Sequence, residues 1–338
     1  MMHVLQPDPD GIAVAARHLR DGGVVGIPTE TVYGLAAITF DPAAVARVFA
    51  TKDRPSFDPL IVHVAGDDPA RAVGPVVAFG TDARRRTADR LWSAFWPGPL
   101  TLVLPKTADV PDLVTAGGPS VAVRMPAHPV ARALIEAAGQ PLVAPSANRF
   151  GRISPTSAAD VVAELGDRVA YVVDGGVCAI GVESTVVAIE ADGGVALLRP
   201  GGVSVEALEA VIGPLRSDLG SPRSPGHTAS HYAPRTPVTL VDEGTEPDRS
   251  LPGPIALLCR RAPRGPTVAR WIAAGQPVVA AEALSTDGDA VEAARRLFAA
   301  LRHLDASGAR TLVVERWPDH RGLGFAIADR LARAAARG

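Results

Sequence analysis

Lys52-Asp53-Arg54-Pro55-Ser56-Phe57-Asp58-Pro59-Leu60-Ile61-Val62-His63 sets two cations one residue apart, then a proline-braced turn, then an apolar run that delivers a histidine. Of the 34 Lys and Arg residues only Lys52 and Lys106 are lysine, so positive charge in this chain is otherwise written as arginine. An ammonium beside a guanidinium offers two different grips on an anion. Arg presents a planar fork that meets oxygens in pairs, and Lys a compact, mobile point charge. The plainer explanation is a solvated helix end with cations near its C-terminus. The rest of the chain has to decide between them.

Outward from that stretch the pattern is mixed α/β. Residues 10–21 carry Ile12, Ala15, Ala16 and Leu19 on one helical face and end at Gly22-Gly23. A strand over 24–27 runs into Pro28-Thr29-Glu30-Thr31, and Asp41-Pro42 opens a helix that leads to Lys52. Residues 60–64 read as a short buried strand carrying His63. A helix is expected over 82–95 and strands over 100–104 and 121–124. A helix over 129–138 and a strand over 142–144 follow, then a helix capped by Thr156 and running to Leu165. Strands are expected at 169–173, 184–190 and 195–199, with a helix at 204–212.

Residues 213–237 are Gly, Pro, Ser and Arg without periodicity, which reads as a linker. Alternation then resumes, with strands near 238–241, 255–259 and 311–315 and helices near 288–304 and 324–336. Strands alternating with helices indicate a small parallel-sheet domain. The expected organisation is therefore a first domain over 1–212, a linker over 213–237 and a second domain over 238–338.

Composition narrows the function classes. The 338 residues are 47% hydrophobic and 21% charged, globular in character. A net charge of −2 gives no global field for nucleic acid, and Arg84-Arg85-Arg86 reads as a solvated face. Two cysteines, Cys178 and Cys259, are too few for a disulfide framework, and no zinc-type Cys/His spacing occurs. No leader and no membrane-length apolar run is seen, so a soluble, reducing, cytoplasmic setting is expected. Neither a Walker-type loop, a strand-linked Gly-x-Gly-x-x-Gly nor a Gly-x-Ser-x-Gly is present.

The polar residues fall at strand ends followed by turns, where open α/β sheets place ligands. Thr29, Glu30, Thr31 and Tyr33 follow one strand, and Lys52, Arg54 and Asp58 precede another that ends in His63. Arg124 ends a third, and Ser146 and Asn148 follow a fourth. Glu183-Ser184-Thr185 and Arg199-Pro200-Gly201-Gly202 complete the set. Hydroxyls and amides beside Lys and Arg make a receptacle for a polyphosphate. Singly, each has a structural explanation: a satisfied core histidine, an Asx turn, an ion-pairing arginine, surface caps at Glu30 and Glu183. The residues alone lead to an α/β enzyme with an anionic, nucleotide-like ligand and leave the reaction open.

Nine segments in order resemble the threonylcarbamoyl-AMP synthase family in its long form. They are PTETVYGL (28–35), KDRPSFDPLIVHV (52–64), WPGPLTLVL (96–104), VAVRMPAHP (121–129), APSANRFGRISPT (144–156), GVESTVV (181–187), LLRPGGVS (197–204), SPGHTASHYAPRTPV (224–238) and GLGFAIADRLARAA (322–335). The resemblance implies a YrdC-like twisted mixed-sheet domain with a central concave cavity, a linker, and a small Rossmann-like parallel-sheet domain. It implies condensation of L-threonine, bicarbonate or CO2 and ATP, with Mg2+, into threonylcarbamoyl-AMP and pyrophosphate. The product passes to the machinery that builds threonylcarbamoyladenosine on tRNA, without strong direct nucleic-acid binding or membrane attachment. By motif, Lys52 and Arg54 look like catalytic cations. Arg54, Asp58, Ser120, Ser146, Asn148, Ser154, Arg199 and Tyr232 look like ATP contacts alongside Lys52. Thr31, His63, Arg124 and Ser184 look like threonine contacts, and Tyr232 makes the linker a lid. Asp58 departs from the family, which usually has Asn there; its carboxylate needs magnesium or a ribose to sit near phosphates. A carbamoyl-adenylate-handling carbamoyltransferase and an RNA-binding module are the alternatives. The few aromatic residues and the net charge argue against the second.

Overall fold

The computed structural model describes residues 2–219, 221–223, 231–262, 264–318 and 321–336. Contacts divide the chain into two compact units. The first comprises Met1–Phe150, Ser154–Ala179 and Glu183–His227, and the second Gly151–Ile153, Ile180–Val182 and Thr228–Gly338.

The first unit opens with β1 (His3–Leu5), α1 (Pro9–Arg20), β2 (Val25–Ile27), β3 (Gly34–Ile38), α2 (Pro42–Lys52) and β4 (Ile61–His63). It continues through α3 (Pro69–Val73), α4 (Asp82–Phe95), β5 (Leu100–Pro105), β6 (Ser120–Arg124), α5 (Pro129–Ala138) and β7 (Leu142–Val143). Then come α6 (Ala158–Leu165), β8 (Tyr171–Val173), β9 (Thr185–Ile189), β10 (Val195–Arg199), α7 (Val205–Ile212) and β11 (Arg216–Ser217). Among the described residues these strands form one sheet in the order β1-β8-β2-β3-β7-β4-β6-β5-β9-β10-β11. The sheet is mixed, as expected: β4 runs parallel to β6, whereas β3, β4 and β6 pair antiparallel with β7, β7 and β5.

Local chemistry explains where the elements begin and end. Asp41 caps α2 by accepting from the amides of Ala43 and Ala44, and Pro42 supplies the first-turn φ. The helix stops at Asp53, which adopts a left-handed φ of 52°. The expected Thr156 cap is one residue off. Ser157 is the N-cap of α6 in a capping box with Asp160, because its hydroxyl meets the Asp160 amide; Thr156 instead bonds the Asp160 carboxylate from outside the helix. The strand β3 went unread because its five residues, GLAAI, are all buried and show no alternation. Packing of α1 and α5 against β2, β3 and β7 buries Leu19, Val25, Ile27, Leu134 and Leu142 in one cluster. Each such side chain contributes roughly 1.5–3 kcal/mol.

The second unit holds β12 (Val238–Val241), β13 (Ile255–Arg261), α8 (Gly265–Ala273), β14 (Val278–Ser285), α9 (Ala290–Asp305), β15 (Thr311–Glu315) and α10 (Gly322–Ala335). Its strands lie in the order β12-β15-β13-β14 and all pairs are parallel, the small parallel sheet anticipated from the alternation. Both α8 and β14 are additions to the sequence reading. Residues read as the end of the linker are packed into this unit. The Asp305 carboxylate accepts from the amides of Arg235 and Thr236 at 2.9 and 2.8 Å, and Tyr232 stacks on Phe298. At the other end of the same stretch, β11 pairs with β10, and Arg223 bonds Glu190 and Asp218 within the first unit. Residues 224–230 lie outside the described residues.

Replacing Asp41 by Ala leaves two first-turn amides of α2 without their acceptor. We expect a loss of about 1 kcal/mol, read as a lower urea midpoint for the first unit. An unchanged midpoint counts against the cap as the start of the helix that carries Lys52.

Candidate active site

The stretch that opens the sequence reading is not a solvated helix end. Lys52 is 1% exposed and Arg54 8%, and both cations turn inward. The Lys52 ammonium donates to the backbone carbonyls of Ser146 and Asn148, while its own carbonyl receives the Phe150 amide at 2.8 Å. The last turn of α2 thereby pins the loop after β7 from both sides. Burial, and then the nearby Arg54 charge, push the Lys52 pKa well down; Asp58 and Glu164 pull it back.

Arg54 folds back over its own turn. Its Nε donates to the Asp58 carbonyl at 3.2 Å, its Nη2 to the Pro59 carbonyl at 2.9 Å, and the guanidinium pairs with the Asp58 carboxylate at 2.9 Å. Asp58 is fully buried. The carboxylate that departs from the family pattern therefore meets an arginine, which removes the need for magnesium or a ribose to neutralise it. A buried carboxylate retained this way is held by its partner.

A second group forms around Arg124, at the end of β6, in register with His63 on the parallel neighbour β4. Arg124 Nε donates to the Gly98 carbonyl at 3.1 Å and Nη1 to the Thr31 hydroxyl at 2.9 Å. Its Nη2 lies 2.5 Å from the Glu30 carboxylate. Thr29 anchors this turn: its hydroxyl donates to the Val32 carbonyl and accepts from the amides of Thr31 and Val32. Tyr33 follows, its hydroxyl donating to the Gly176 carbonyl at 2.7 Å. Burial pushes the Glu30 carboxyl up most strongly, but the Arg124 charge and hydrogen bond, together with hydrogen bonds from the backbone amides of Glu30 and Ala127, hold the group below its usual range. His63 is driven the other way. Burial, reinforced by the Arg124 charge, lowers its pKa to about 3, so the ring is neutral at pH 7. Its Nδ1 faces the Ile61 carbonyl at 3.2 Å. A carbonyl can only accept, so Nδ1 carries the proton and Nε2 is left as an acceptor.

The third group joins β5, β9 and β10. Ser184 exchanges a 2.8 Å hydrogen bond with Thr101, and Arg199 donates to the Ser184 carbonyl and hydroxyl at 3.0 and 3.3 Å. Ser154 donates to the Glu183 carboxylate at 2.5 Å. Gly201 allows this closeness: a Cβ there falls 2.3 Å from the Glu183 carbonyl oxygen and 2.4 Å from the Ser184 carbonyl carbon.

Backbone pairing connects the three groups. Gly34 bridges Ser146, the Ala147 amide bonds the Tyr33 carbonyl, and the Tyr33 amide bonds the Pro155 carbonyl. Strand β5 lies between β6 and β9 and so links Arg124 to Ser184. Lys52, Arg54, Asp58, His63, Arg124, Ser146, Asn148, Ser154, Ser184, Arg199 and Thr31 are thus tied into one framework. Ser120 begins β6, four residues from Arg124 and roughly 13 Å along the strand at 3.3 Å per residue. Tyr232 belongs to the second unit, where its ring is 1% exposed, stacked on Phe298 and beneath Arg330 at 4.9 Å. Sequence reasoning undervalued Glu30 and Glu183. Both were read as surface caps, and both are buried partners of the framework. The signal was present in Glu30, an acid between two threonines next to an apolar run.

Among the described residues of the first unit, the buried basic side chains are Lys52, Arg54, Arg124 and Arg199, and the buried carboxylates are Glu30, Asp58 and Glu183. The excess positive charge suits an anionic ligand. Among the described residues no three His, Cys, Asp or Glu side chains converge as a metal cage. The acids of the framework are already engaged by Arg124, Arg54 and Ser154. The donor set does not fit a resident magnesium ion.

Fold and site together define a two-unit α/β protein whose larger unit buries a cation-rich cluster at its strand ends. Two family models cover it. One, described as telomere recombination, matches residues 17–201, and the other, described as the C-terminal domain of threonylcarbamoyl-AMP synthase, matches residues 203–336. A threonylcarbamoyl-AMP synthase of Bacillus subtilis is 41% identical over 97% of this chain and 93% of its own length. One of Pyrococcus abyssi is 38% identical over 96% and 94%. The crystal structure of P. abyssi Sua5 complexed with L-threonine aligns with a TM-score of 0.82 at 34% identity, covering 99% of this chain and 97% of that one. This chain belongs to the threonylcarbamoyl-AMP synthase family. Among the described residues no helix is long and apolar enough to cross a membrane.

The neutral His63 makes a pH prediction. Between pH 6.5 and about 3 the unfolded chain binds a proton that the folded chain refuses. Stability therefore falls as pH falls through that window, by up to ~1.4 kcal/mol per unit. His128, half-buried and also lowered by desolvation, adds in the same direction. His63→Gln should flatten the acid limb of urea-unfolding free energy against pH by close to one proton. An acid limb of the same slope in the variant contradicts the buried neutral assignment.

Proposed function

We propose that this chain joins L-threonine, bicarbonate or CO2, and ATP into threonylcarbamoyl-AMP and pyrophosphate. The observation that carries the reading is the match to threonylcarbamoyl-AMP synthases across both units. The site supports it chemically. Carboxylation of the threonine amine yields a carbamate, and a carbamate oxygen displaces pyrophosphate from the α-phosphorus of ATP. An anion must therefore approach a polyanion, and an excess of buried cations lowers that barrier.

In this reading Arg124 pairs with the amino-acid carboxylate, with Thr31 and Ser184 beside it. The His63 Nε2, an acceptor at neutral pH, takes the hydrogen bond of the threonine hydroxyl. Arg54, Lys52 and Arg199 face the phosphates, with Ser146, Asn148, Ser154 and Ser120 on the nucleotide. Asp58 acts through Arg54, keeping its guanidinium folded over the Pro59 turn. Lys52 acts chiefly by holding the Ser146 and Asn148 loop, with one of its three N–H groups left for a phosphate. Magnesium accompanies ATP as its phosphate complex, which asks no resident cage of the protein. The product goes on to the enzymes that threonylcarbamoylate tRNA.

Pyrophosphate release from ATP and bicarbonate should require L-threonine, and the adenylate should appear by mass. Release independent of the amino acid, or with another amino acid preferred, sinks the reading. Arg124→Lys keeps a charge but loses the fork. It should raise KM for L-threonine by roughly 10–100-fold and leave KM for ATP within about twofold. Equal effects on both substrates remove Arg124 from the amino-acid subsite.

A further inference from the structure

One face of α9 gathers three separate stretches of chain. The second unit includes two short pieces that run directly into site residues of the first: Gly151–Ile153 leads into Ser154, and Ile180–Val182 into Glu183. Toward the end of the helix Arg302 donates from Nη2 to the Ile153 carbonyl at 2.8 Å, and Asp305 meets Arg152 at 3.4 Å. Toward its start lies Gly181, with a left-handed φ of 82°. A Cβ there would fall 2.5 Å from the Ala294 carbonyl oxygen and 2.5 Å from the Arg295 Cα, so this piece rests directly on the helix backbone. Between them Phe298 stacks on Tyr232, and the next amide, Ala233, bonds the Gly151 carbonyl at 2.8 Å. Positions 294, 298, 302 and 305 share a helical face, and 294 to 302 spans roughly 12 Å at 1.5 Å per residue.

The two pieces end on partners. Ser154 and Glu183 hydrogen-bond each other at 2.5 Å, and the residues before them, Ile153 and Val182, are both buried. The Ile153 carbonyl and the Ser154 Cα lie in one rigid peptide plane, so a group that holds the first also places the second. A guanidinium suits that task, because its charge strengthens the hydrogen bond and its planar fork is pre-organised. We propose that Arg302 is a positioning residue for the nucleotide: it fixes the Ile153–Ser154 peptide and so aims the Ser154 hydroxyl, without touching the ligand. The inference deepens the nucleotide half of the synthase reading and rests on it. The amino-acid half takes its geometry from other elements. Thr31 is held by Arg124, and Arg124 and His63 by the register of β6 and β4.

The test measures binding of ATP with magnesium, and of L-threonine, each alone, by titration calorimetry on the full chain. Arg302→Met keeps the apolar stem and removes the donors. ATP should then weaken on the order of 10-fold and L-threonine by less than about twofold. Arg302→Lys restores a cationic donor and should recover most of the loss. Arg296 lies on the opposite face of α9, paired with Glu282 and Glu292, and Arg296→Met should leave ATP binding unchanged. A double-mutant cycle with Ser154→Ala identifies the route: on that background Arg302→Met should weaken ATP by less than about twofold more. Unchanged ATP binding in Arg302→Met overturns the inference. So do equal losses for both ligands, an equal loss in Arg296→Met, or additive losses in the cycle. Arg302→Gln carries the same comparisons if the Met variant does not fold. A wild type that binds neither ligand is a separate result, which defeats the synthase reading and the inference with it.

Discussion

A lysine ammonium placed under the surface of the first unit and closed by two backbone carbonyls sets the terms for everything around it. At 1% exposure the Lys52 N–H groups are costly to bury unless acceptors are brought to them, and Ser146 and Asn148 supply them. That requirement draws the loop after β7 onto the end of α2. Through Gly34, Tyr33 and Ala147 it also draws that loop onto the turn holding Thr29, Glu30 and Thr31. Residues far apart in sequence meet because one buried donor group has to be answered.

The same rule organises the rest of the site. Arg54 is answered by Asp58 and by two carbonyls of its own turn, and Arg199 by Ser184. Arg124 is answered by Gly98, Thr31 and Glu30. The mixed sheet makes this possible. Its strands are short, so polar strand ends lie close to the apolar middle, and neighbouring parallel and antiparallel strands bring several such ends together. The Arg124–His63 register of β6 and β4 is one instance, and the Thr101–Ser184 contact across β5 and β9 is another. Where backbone passes over backbone, at Gly201, side-chain volume is excluded altogether.

Much of the fold was legible because it is written locally. Asp41-Pro42 marks the start of α2 by cap chemistry, α4 shows its bounds over 82–95, and the alternation beyond residue 238 announces a parallel sheet. Some of what was missed carried a mark that was not used: α3 opens on Asp68-Pro69, the same cap chemistry as α2. The all-buried β3 lacks a period, whereas α8 and β14 are divided by Gly275 and Pro277, a break the reading passed over. The Thr156 and Ser157 caps differ only in which hydroxyl faces the helix.

Sequence by itself determined the ordered set of nine segments, and with it the family, the two-unit plan and the residues grouped at strand ends. It also determined that the cations would be mostly arginine and that Asp58 would stand where asparagine is usual. Only the tertiary structure decided which charge meets which. It made Asp58 the partner of Arg54, turned Glu30 and Glu183 from surface caps into buried groups, and placed Tyr232 against Phe298. The reason is physical. Residue type sets what a side chain can donate or accept, but the worth of a charge depends on how far it is removed from water and on what stands beside it. Both are fixed by contacts between distant segments.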